Sequence, residues 1–432
     1  MSVFGTAITN VAIPWLTLDL TGSAAHAGLM AAAGFVPYLL LILPSGVWVD
    51  RLDRRKLMVW ADLARAALIG SIPLAGLVGR LAISQLYMVQ IGIAACSALF
   101  DMGYNACLPN LVHREQLQAA NSRLQATDAV AGIAGPALGG LLVGVFGAAT
   151  TVSVDAISYL LSVGTLLAVR RSFQSTGAGK EPGAGKERPK PFVSAMAEGL
   201  RFLRGHRLLR SLAVAAVLLN LAGGMSGAVQ VYRMKQELSI PADAVGLVFA
   251  VGGFGSLAAA LVSEAVSRRL ALGRILSLGL AFIAVGWITL ALAKAPTVFM
   301  AAALLASFGG VVVNIQSASL RQATTPDRLL GRVTGAFRTL AWGLAPVGSI
   351  AGGFIAQNWG AVTTFWAAAI ISSFGLAWMQ ASGLGRPARS ARSMAMPPLL
   401  EAFASRPLPT HEKAQPDRTM SAGLSYLART DQ

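Results

Sequence analysis

Apolar stretches of about 20 residues recur along most of the chain and are separated by shorter polar segments. A helix that crosses a bilayer needs roughly 20 mainly apolar residues, whereas a strand of a membrane barrel would show ~10-residue segments of alternating pattern. The apolar stretches of this chain are continuous and do not alternate. The pattern therefore predicts an all-α membrane protein with twelve transmembrane helices.

Short loops separate the twelve predicted spans. In chain order they run over Ser2 to Leu20, Gly28 to Val49, Lys56 to Val78, Ile83 to Tyr104, Ala126 to Phe146, Thr150 to Val169, Ser211 to Tyr232, Ala244 to Ala265, Leu272 to Ala293, Thr297 to Leu320, Val333 to Gln357 and Val362 to Gly383. A secretory signal peptide is the alternative for the first span, because the sequence Ala-His-Ala at Ala25 resembles a cleavage site. Such peptides begin with a positively charged region that is absent here, so a span is favoured.

An internal repeat relates the two ends of the predicted bundle. The pentapeptide GAATT at Gly147 recurs as GAVTT at Gly360, an offset of 213 residues, and the Gly139-Gly140 pair recurs at the same offset. An offset of six spans and a connecting segment predicts a duplication into two parallel six-helix halves.

Composition divides the chain into four regions. Residues 1–170 are predicted to form an N-terminal six-helix half, and residues 211–383 a C-terminal half. Residues 171–210 are predicted to form a cytoplasmic linker, rich in Gly, Pro, Ser and Lys at its start, with an amphipathic helix from Phe192 at the inner membrane surface. Residues 384–432 are predicted to form a disordered basic cytoplasmic tail.

The placement of charge predicts the orientation. The chain has 35 Lys and Arg against 19 Asp and Glu, a net charge of +16 that would by itself suit a nucleic-acid partner. The basic residues, however, collect on one side of the predicted membrane, and we place only Arg80, Arg233, Lys235 and Lys294 in loops on the other. This asymmetry is typical of a multi-pass protein of the cell membrane with both termini in the cytoplasm. It favours the lipid bilayer, and no nucleic acid, as the partner of the basic face.

No pattern points to a metal site, a cofactor or a catalytic reaction. The four histidines lie in scattered predicted loops without metal-ligand spacing. Cys96 and Cys107 would be about 16 Å apart on a helix, which is too far for a disulfide. No nucleophile, base and orienting group would converge in one site, so we predict that the protein is not an enzyme.

The loop between the second and third spans carries the most specific motif. It reads GVWVDRLDRRKLM from Gly46 to Met58, with these candidate residues: Gly46, Asp50, Arg51, Arg54, Arg55 and Lys56. Twelve spans in two parallel halves, together with this motif, resemble the major facilitator superfamily of transporters. The resemblance implies that the motif acts as a latch between the halves, in which arginines hold an acid near a helix end. The alternative is a topogenic loop, which needs the basic residues but neither Gly46 nor Asp50.

Other segments are similar to the drug-efflux branch of that superfamily, which includes macrolide and enterobactin exporters. They are LTGSAAHAGL from Leu20, LQAAN from Leu117 and GPALGG in the fifth span. The fifth span resembles the antiporter signature of exporters at Gly132, Gly135, Pro136, Gly139 and Gly140, although Ala131 stands where the fuller signature has glycine. Generic close packing of small residues is the alternative interpretation. The resemblance favours export over import.

Polar groups inside predicted spans are functional candidates, because burying them in lipid is costly. Asp155 and Asp101 are the candidates for proton coupling, although the fourth span lacks the arginine that many proton-coupled relatives carry there. The other candidates for the proton or substrate path are Asp62, Arg65, Asp19, Asn10 and Gln90. For Asp62 and Arg65, which are three residues apart on the third span, a structural pair on one helix face, tied to the latch, is favoured over substrate contact. A cavity would further be lined by Asn220, Gln230, Asn314, Gln316, Met225, Trp287, Trp342 and Phe337.

These observations predict a monomeric secondary active transporter that exports amphipathic small molecules by alternating access, coupled to a proton or other ion gradient. An importer, or an exporter of one metabolite or siderophore, is the alternative within the transporter class. A membrane sensor or assembly partner that does not transport is the alternative from another class.

Overall fold

The computed structural model describes residues 2–42, 53–111, 116–169 and 192–382. Within these ranges the chain forms fifteen α-helices and one π-helical turn, and no β-strand. The α-helices are α1 Ser2–Thr21, α2 Ala24–Ile42, α3 Arg54–Leu77, α4 Ile83–Leu111, α5 Leu117–Phe146, α6 Ala148–Thr151, α7 Ser153–Ala168, α8 Phe192–Gly205, α9 Arg207–Tyr232, α10 Ala242–Arg269, α11 Leu272–Leu292, α12 Pro296–Thr324, α13 Asp327–Gly343, α14 Ala345–Trp359 and α15 Ala361–Ala381.

Twelve helical segments are long and apolar enough to cross a membrane, which confirms the predicted all-α fold with twelve spans in two six-helix halves. The sixth span consists of α6 and α7, and the eleventh of α13 and α14. Large apolar side chains such as Trp60 and Ile370 are exposed on the helix surfaces, Trp60 to 70%. A helix satisfies its backbone hydrogen bonds internally, so such surfaces suit contact with lipid.

Several helices extend beyond the predicted spans. The fourth helix continues to Leu111 and the fifth begins at Leu117, so most of the segment predicted to join them is helical. The seventh span continues through the π-helical turn Arg233–Glu237, so Arg233 and Lys235 do not lie in the loop predicted for them. The apolar stretches alone predict helices that are too short, because polar residues of good helix propensity prolong a helix beyond the apolar core of a bilayer.

The repeated pentapeptides occupy equivalent corners. Gly147 and Gly360 each separate two helices, with φ of 77° and 83° and ψ of 157° and 156°. A positive φ of this kind is open to glycine and strained for other residues. The sequence repeat therefore corresponds to a repeated backbone geometry at the fifth-to-sixth and eleventh-to-twelfth connections.

Two helix pairs form the most extensive packing between the halves: α2 packs on α14, and α5 packs on α10. Glycines let these backbones meet. An added Cβ at Gly246 would lie 2.4 Å from the Pro136 carbonyl oxygen, and one at Gly353 would lie 2.6 Å from the Ala24 carbonyl oxygen. A side chain at either glycine would force the halves apart, because backbones in contact leave no room for it.

The two ends of the bundle differ in how the halves meet. We call the end at which α3 begins and α7 ends the basic end, and the end at which α1 gives way to α2 the opposite end. The hydrogen bonds that join described residues of the two halves all lie at the opposite end. One example is the bond from Ser23 Oγ to Gln357 Oε1, 2.9 Å long. Among the described residues, hydrogen bonds therefore fasten the halves at the opposite end.

Candidate substrate cavity and charged sites

A cavity of about 820 Å³ lies between the halves. The first and fifth spans line it from the N-terminal half, with Asn10 and Asp128, and the C-terminal half contributes Gln230, Trp287 and Ser307. Asp128 lies near the start of α5, so the cavity reaches toward the basic end. The lining mixes apolar walls with a few polar groups, as small-molecule sites do.

A second cavity of about 690 Å³ adjoins the first, since Trp287, Ala306 and Ser307 line both. Its wall comes mostly from the C-terminal half, with Asn220 and Asn314 as polar members. Together the two cavities form a central space large enough for a drug-sized molecule.

The predicted cavity residues separate into two groups. Those that line the central space are Asn10, Gln230, Asn220, Asn314, Trp287, Trp342 and Phe337. Met225 and Gln316 are buried and line neither cavity. Gln90 packs its side-chain amide against Gly34 of the second span, where an added Cβ would lie 2.6 Å from Gln90 Nε2. The direction in which each side chain leaves its helix explains why some candidates line the cavities and others do not, since residues of one span point to different neighbours.

Asp62 and Arg65 form a buried ion pair on α3. The Arg65 guanidinium lies between two aromatic rings, 4.5 Å from the centroid of Phe100 and 4.5 Å from that of Tyr159. Both charged side chains are nearly inaccessible, with exposures of 0% for Asp62 and 7% for Arg65. The positive charge is thus neutralised inside the N-terminal half, among the third, fourth and sixth spans.

Asp155 lies behind the first span, on the side away from the cavity. It is 1% exposed, and Ser158 Oγ donates a hydrogen bond of 3.1 Å to its Oδ1. Gly5 of α1 packs directly against it, since an added Cβ would lie 2.5 Å from Asp155 Oδ1. Its Oδ2 has no hydrogen-bond partner among the described residues, and neither has the buried Thr9 Oγ1 of the facing helix. Asp155 is therefore a buried carboxyl whose hydrogen bonding is incomplete.

Asp101 and Asp19 lie near opposite ends of the N-terminal half. The Tyr38 hydroxyl donates a hydrogen bond of 3.2 Å to Asp101 Oδ2. Asp19 forms an ion pair with Lys235 of the C-terminal half, whose ammonium group also bonds to the Trp15 carbonyl oxygen at 3.0 Å. The bond from Tyr38 thus ties Asp101 to the second span, and Asp19 joins the two halves at the opposite end.

The structure describes three of the six predicted latch residues, which are Arg54, Arg55 and Lys56. Gly46, Asp50 and Arg51 lie outside the described residues, and Lys56 is exposed, 3.9 Å from the carboxylate of the helix cap Asp53. Arg55 donates to the carbonyl oxygens of Leu166 and Leu167 at 3.0 and 2.5 Å, and Arg54 starts the same helix. These two bonds join the third span to the end of the sixth, within one half.

The antiporter-like motif of α5 has two faces. Gly135 and Gly139 meet α1, where an added Cβ at Gly135 would lie 2.4 Å from Ala7 Cβ. Gly140, Gly132 and Pro136 meet α10 of the other half, where an added Cβ at Gly140 would lie 2.4 Å from the Ala242 carbonyl oxygen. One helix thus packs closely both inside its half and across the boundary.

Sequence reasoning missed Arg321, which lies near the basic end of α12. It is 8% exposed and lines the second cavity. Its guanidinium lies 4.0 Å from the ring centroid of Phe337. Its Nε and Nη1 have no hydrogen-bond partner among the described residues. The predicted tenth span ends one residue earlier, at Leu320, so Arg321 is treated there as a flanking cation.

The chain resembles known transport proteins over most of its length. Residues 1–406 match the family described as transmembrane secretion effectors. The chain is 29% identical to the multidrug efflux pump Tap of Mycobacterium tuberculosis over 381 residues, which cover 86% of this chain and 88% of the pump. It is 26% identical to the enterobactin exporter EntS of Salmonella typhimurium over 384 residues, 87% of each chain.

A solved structure shares the fold. It is that of a bacterial homologue of the iron transporter ferroportin in an inward-facing state, with a TM-score of 0.71 and 18% sequence identity. The likeness covers 88% of this chain and 95% of that one. At this identity it bears on the fold alone.

Proposed function

Because the chain belongs to the transmembrane secretion effector family of the major facilitator superfamily, we propose that it exports amphipathic small molecules by alternating access. The observation that carries the proposal is the central space, which extends toward the basic end, while close glycine contacts hold the halves together nearer the opposite end. The similarity of the chain to a multidrug efflux pump and to an enterobactin exporter supports transport in the outward direction.

The orientation of the chain makes this cavity a loading site. The positive-inside asymmetry puts the basic end and both termini in the cytoplasm of a cell whose inner or only membrane holds the protein. The cavity then opens inward and takes up substrate from the cytoplasm or the inner leaflet. Release needs the opposite end to part and the basic end to close.

A proton gradient is the proposed energy source, with Asp155 as the carrier. A carboxyl in a dry interior with an unsatisfied oxygen gains from protonation, since the protonated group buries no charge. The first span separates Asp155 from the cavity, with Gly5 against the carboxyl and Asn10 on the cavity side. A proton on Asp155 therefore changes the packing of α1, which changes the cavity wall.

The loop motif is proposed to close the basic end. Asp50→Asn removes the acid and keeps every basic residue, so insertion and folding should be normal while transport slows. Equal export by this variant and the wild type, at equal expression, would leave the loop with a topogenic role only.

Accumulation of a fluorescent amphipathic dye tests the proposed function. Cells that make the protein should accumulate less dye than cells that make equal amounts of Asp155→Asn, and a protonophore should abolish the difference. Reduced accumulation that survives the protonophore would contradict proton coupling. No difference from empty cells for chemically varied dyes would contradict broad export, and would favour either a single metabolite or siderophore as substrate or a role without transport.

A further inference from the structure

The second cavity contains a concentration of positive charge. Arg321 and Arg338 both line it, and no Asp or Glu lies among its described lining residues. The charge of Arg338 acts on Arg321, so the two guanidinium groups repel one another. Arg338 is exposed to the cavity side of the eleventh span, whereas Arg321 is buried.

Arg321 is unusual among the buried basic side chains. Arg65 is paired with Asp62, and Arg233 bonds to Glu237 and to the Ala293 carbonyl oxygen at 2.7 Å. Arg321 lies against the Phe337 ring, and two of its nitrogens lack any hydrogen bond among the described residues. A buried cation without a counter-ion costs free energy. An anion delivered from outside the chain would offset that cost.

The wall around the arginines defines the rest of the ligand. Trp342, Phe337 and Phe35 supply aromatic surface, and Asn314 and Ser317 add neutral hydrogen-bonding groups. A guanidinium binds carboxylate or phosphate oxygens with two parallel hydrogen bonds and stacks on aromatic rings. A molecule that fits this wall joins an anionic group to a planar apolar body.

We propose that Arg321 and Arg338 form a site for the anionic group of an amphipathic molecule in the second cavity. The site rests on the proposed export function and gives it a substrate class, an organic anion in place of the organic cation that drug efflux usually suggests. An anionic lipid headgroup offers the same chemistry, and adding an anionic lipid to the binding measurement separates the two sources.

Binding of two matched dyes tests the site. Fluorescein is an anion at neutral pH, and a cationic rhodamine ester has the same xanthene ring system. Fluorescence anisotropy is measured with the full chain in phosphatidylcholine nanodiscs. The wild type should bind fluorescein more tightly than the rhodamine, and Arg321→Gln should weaken fluorescein binding at least about tenfold. Arg321→Lys should keep part of the affinity, because it keeps the charge.

Two controls keep the result interpretable. Arg274→Gln removes an exposed arginine of α11 that lines neither cavity, and should leave binding unchanged. Arg338→Gln changes an exposed residue and replaces Arg321→Gln if that variant does not fold. It should weaken fluorescein binding several-fold, by about half of the Arg321 effect on a logarithmic scale.

Adding an anionic lipid to the nanodisc tests whether lipid headgroups occupy the site. If headgroups use the site, phosphatidylglycerol should displace fluorescein from the wild type through Arg321. If free solutes use the site, phosphatidylglycerol should have no effect on fluorescein binding. Both results support an anion site. Unchanged fluorescein binding by folded Arg321→Gln, or tighter binding of the rhodamine by the wild type, would overturn it. Because binding is measured without transport, a chain that binds fluorescein but exports neither dye would refute export and leave the site intact.

Discussion

The two halves share one fold and treat a buried arginine in opposite ways. In the N-terminal half, Arg65 is paired with Asp62 three residues earlier and stacked between Phe100 and Tyr159. In the C-terminal half, Arg321 also lies over an aromatic ring, but no carboxylate stands beside it among the described residues. The first guanidinium is held in a closed cluster, and the second lines the cavity.

The difference supports the proposal that the two halves have different tasks. The N-terminal half buries the Asp62–Arg65 pair and Asp155, which lie outside the lining of both cavities. The C-terminal half places its charge on the wall of the central space. A proton site needs isolation from substrate, and an anion site needs access to it, so we propose that coupling belongs to the N-terminal half and substrate charge to the C-terminal half.

Removing each arginine in turn should produce the largest contrast. Arg65→Gln leaves Asp62 as a buried carboxylate without its partner, so we expect a loss of about 3–5 kcal/mol in the free energy of unfolding. Arg321→Gln removes an unpaired buried charge, so stability should stay within about 1 kcal/mol of the wild type or rise. Thermal unfolding in detergent, followed by size-exclusion chromatography, measures both, with Arg274→Gln as the exposed control. An equal loss for the two variants would make Arg321 a structural residue and erase the contrast.

Giving Arg321 an internal partner should make the second half resemble the first. Ser317 is 5% exposed and lies four residues before Arg321 on α12, so an aspartate there faces the guanidinium. Ser317→Asp should lower fluorescein affinity about tenfold by occupying the arginine, whereas Ser317→Asn should change it little. The comparison is made by anisotropy at matched protein concentration. Full fluorescein affinity in folded Ser317→Asp would mean that the anion does not use Arg321.

A third basic side chain should show the smallest effect. Lys235 pairs with Asp19 across the halves, but the Asp19 side chain is 47% exposed, so water screens the pair. Asp19→Asn should lower the free energy of unfolding by less than about 1 kcal/mol. Thermal unfolding beside Asp243→Asn, an exposed acid at the same end, measures the difference. A loss as large as that of Arg65→Gln would show that the opposite end depends on this pair.

The sequence predicts the fold well because lipid imposes one strong rule. Spans of about 20 apolar residues must be helices, so their number and the parallel repeat follow from apolar length and from the glycine corners at Gly147 and Gly360. The three-residue spacing of Asp62 and Arg65 likewise predicts a pair on one helix face. These inferences are local or periodic, and need no knowledge of which helices are neighbours.

The remaining features depend on helix facing, which a single sequence does not define. Gln90 is a polar candidate for a cavity wall and Met225 an adaptable apolar one, yet each packs against a neighbouring helix. The length of the apolar stretch predicts Arg321 as a cation that flanks the tenth span, whereas in the structure Arg321 lines the second cavity. The positive-inside rule accounts for a basic residue at that end by itself, so no sequence signal separates Arg321 from the other cations there.

Transport of fluorescein by purified protein in liposomes tests the division of tasks most directly. Two modes are compared: transport driven by an imposed pH gradient, and exchange of labelled for unlabelled dye at equal pH. Asp155→Asn should lose gradient-driven transport and keep exchange at the wild-type rate, Arg321→Gln should lose both, and Asp243→Asn should keep both. If Asp155→Asn kept gradient-driven transport, or if folded Arg321→Gln kept full exchange, the assignment of coupling to one half and substrate charge to the other would be wrong.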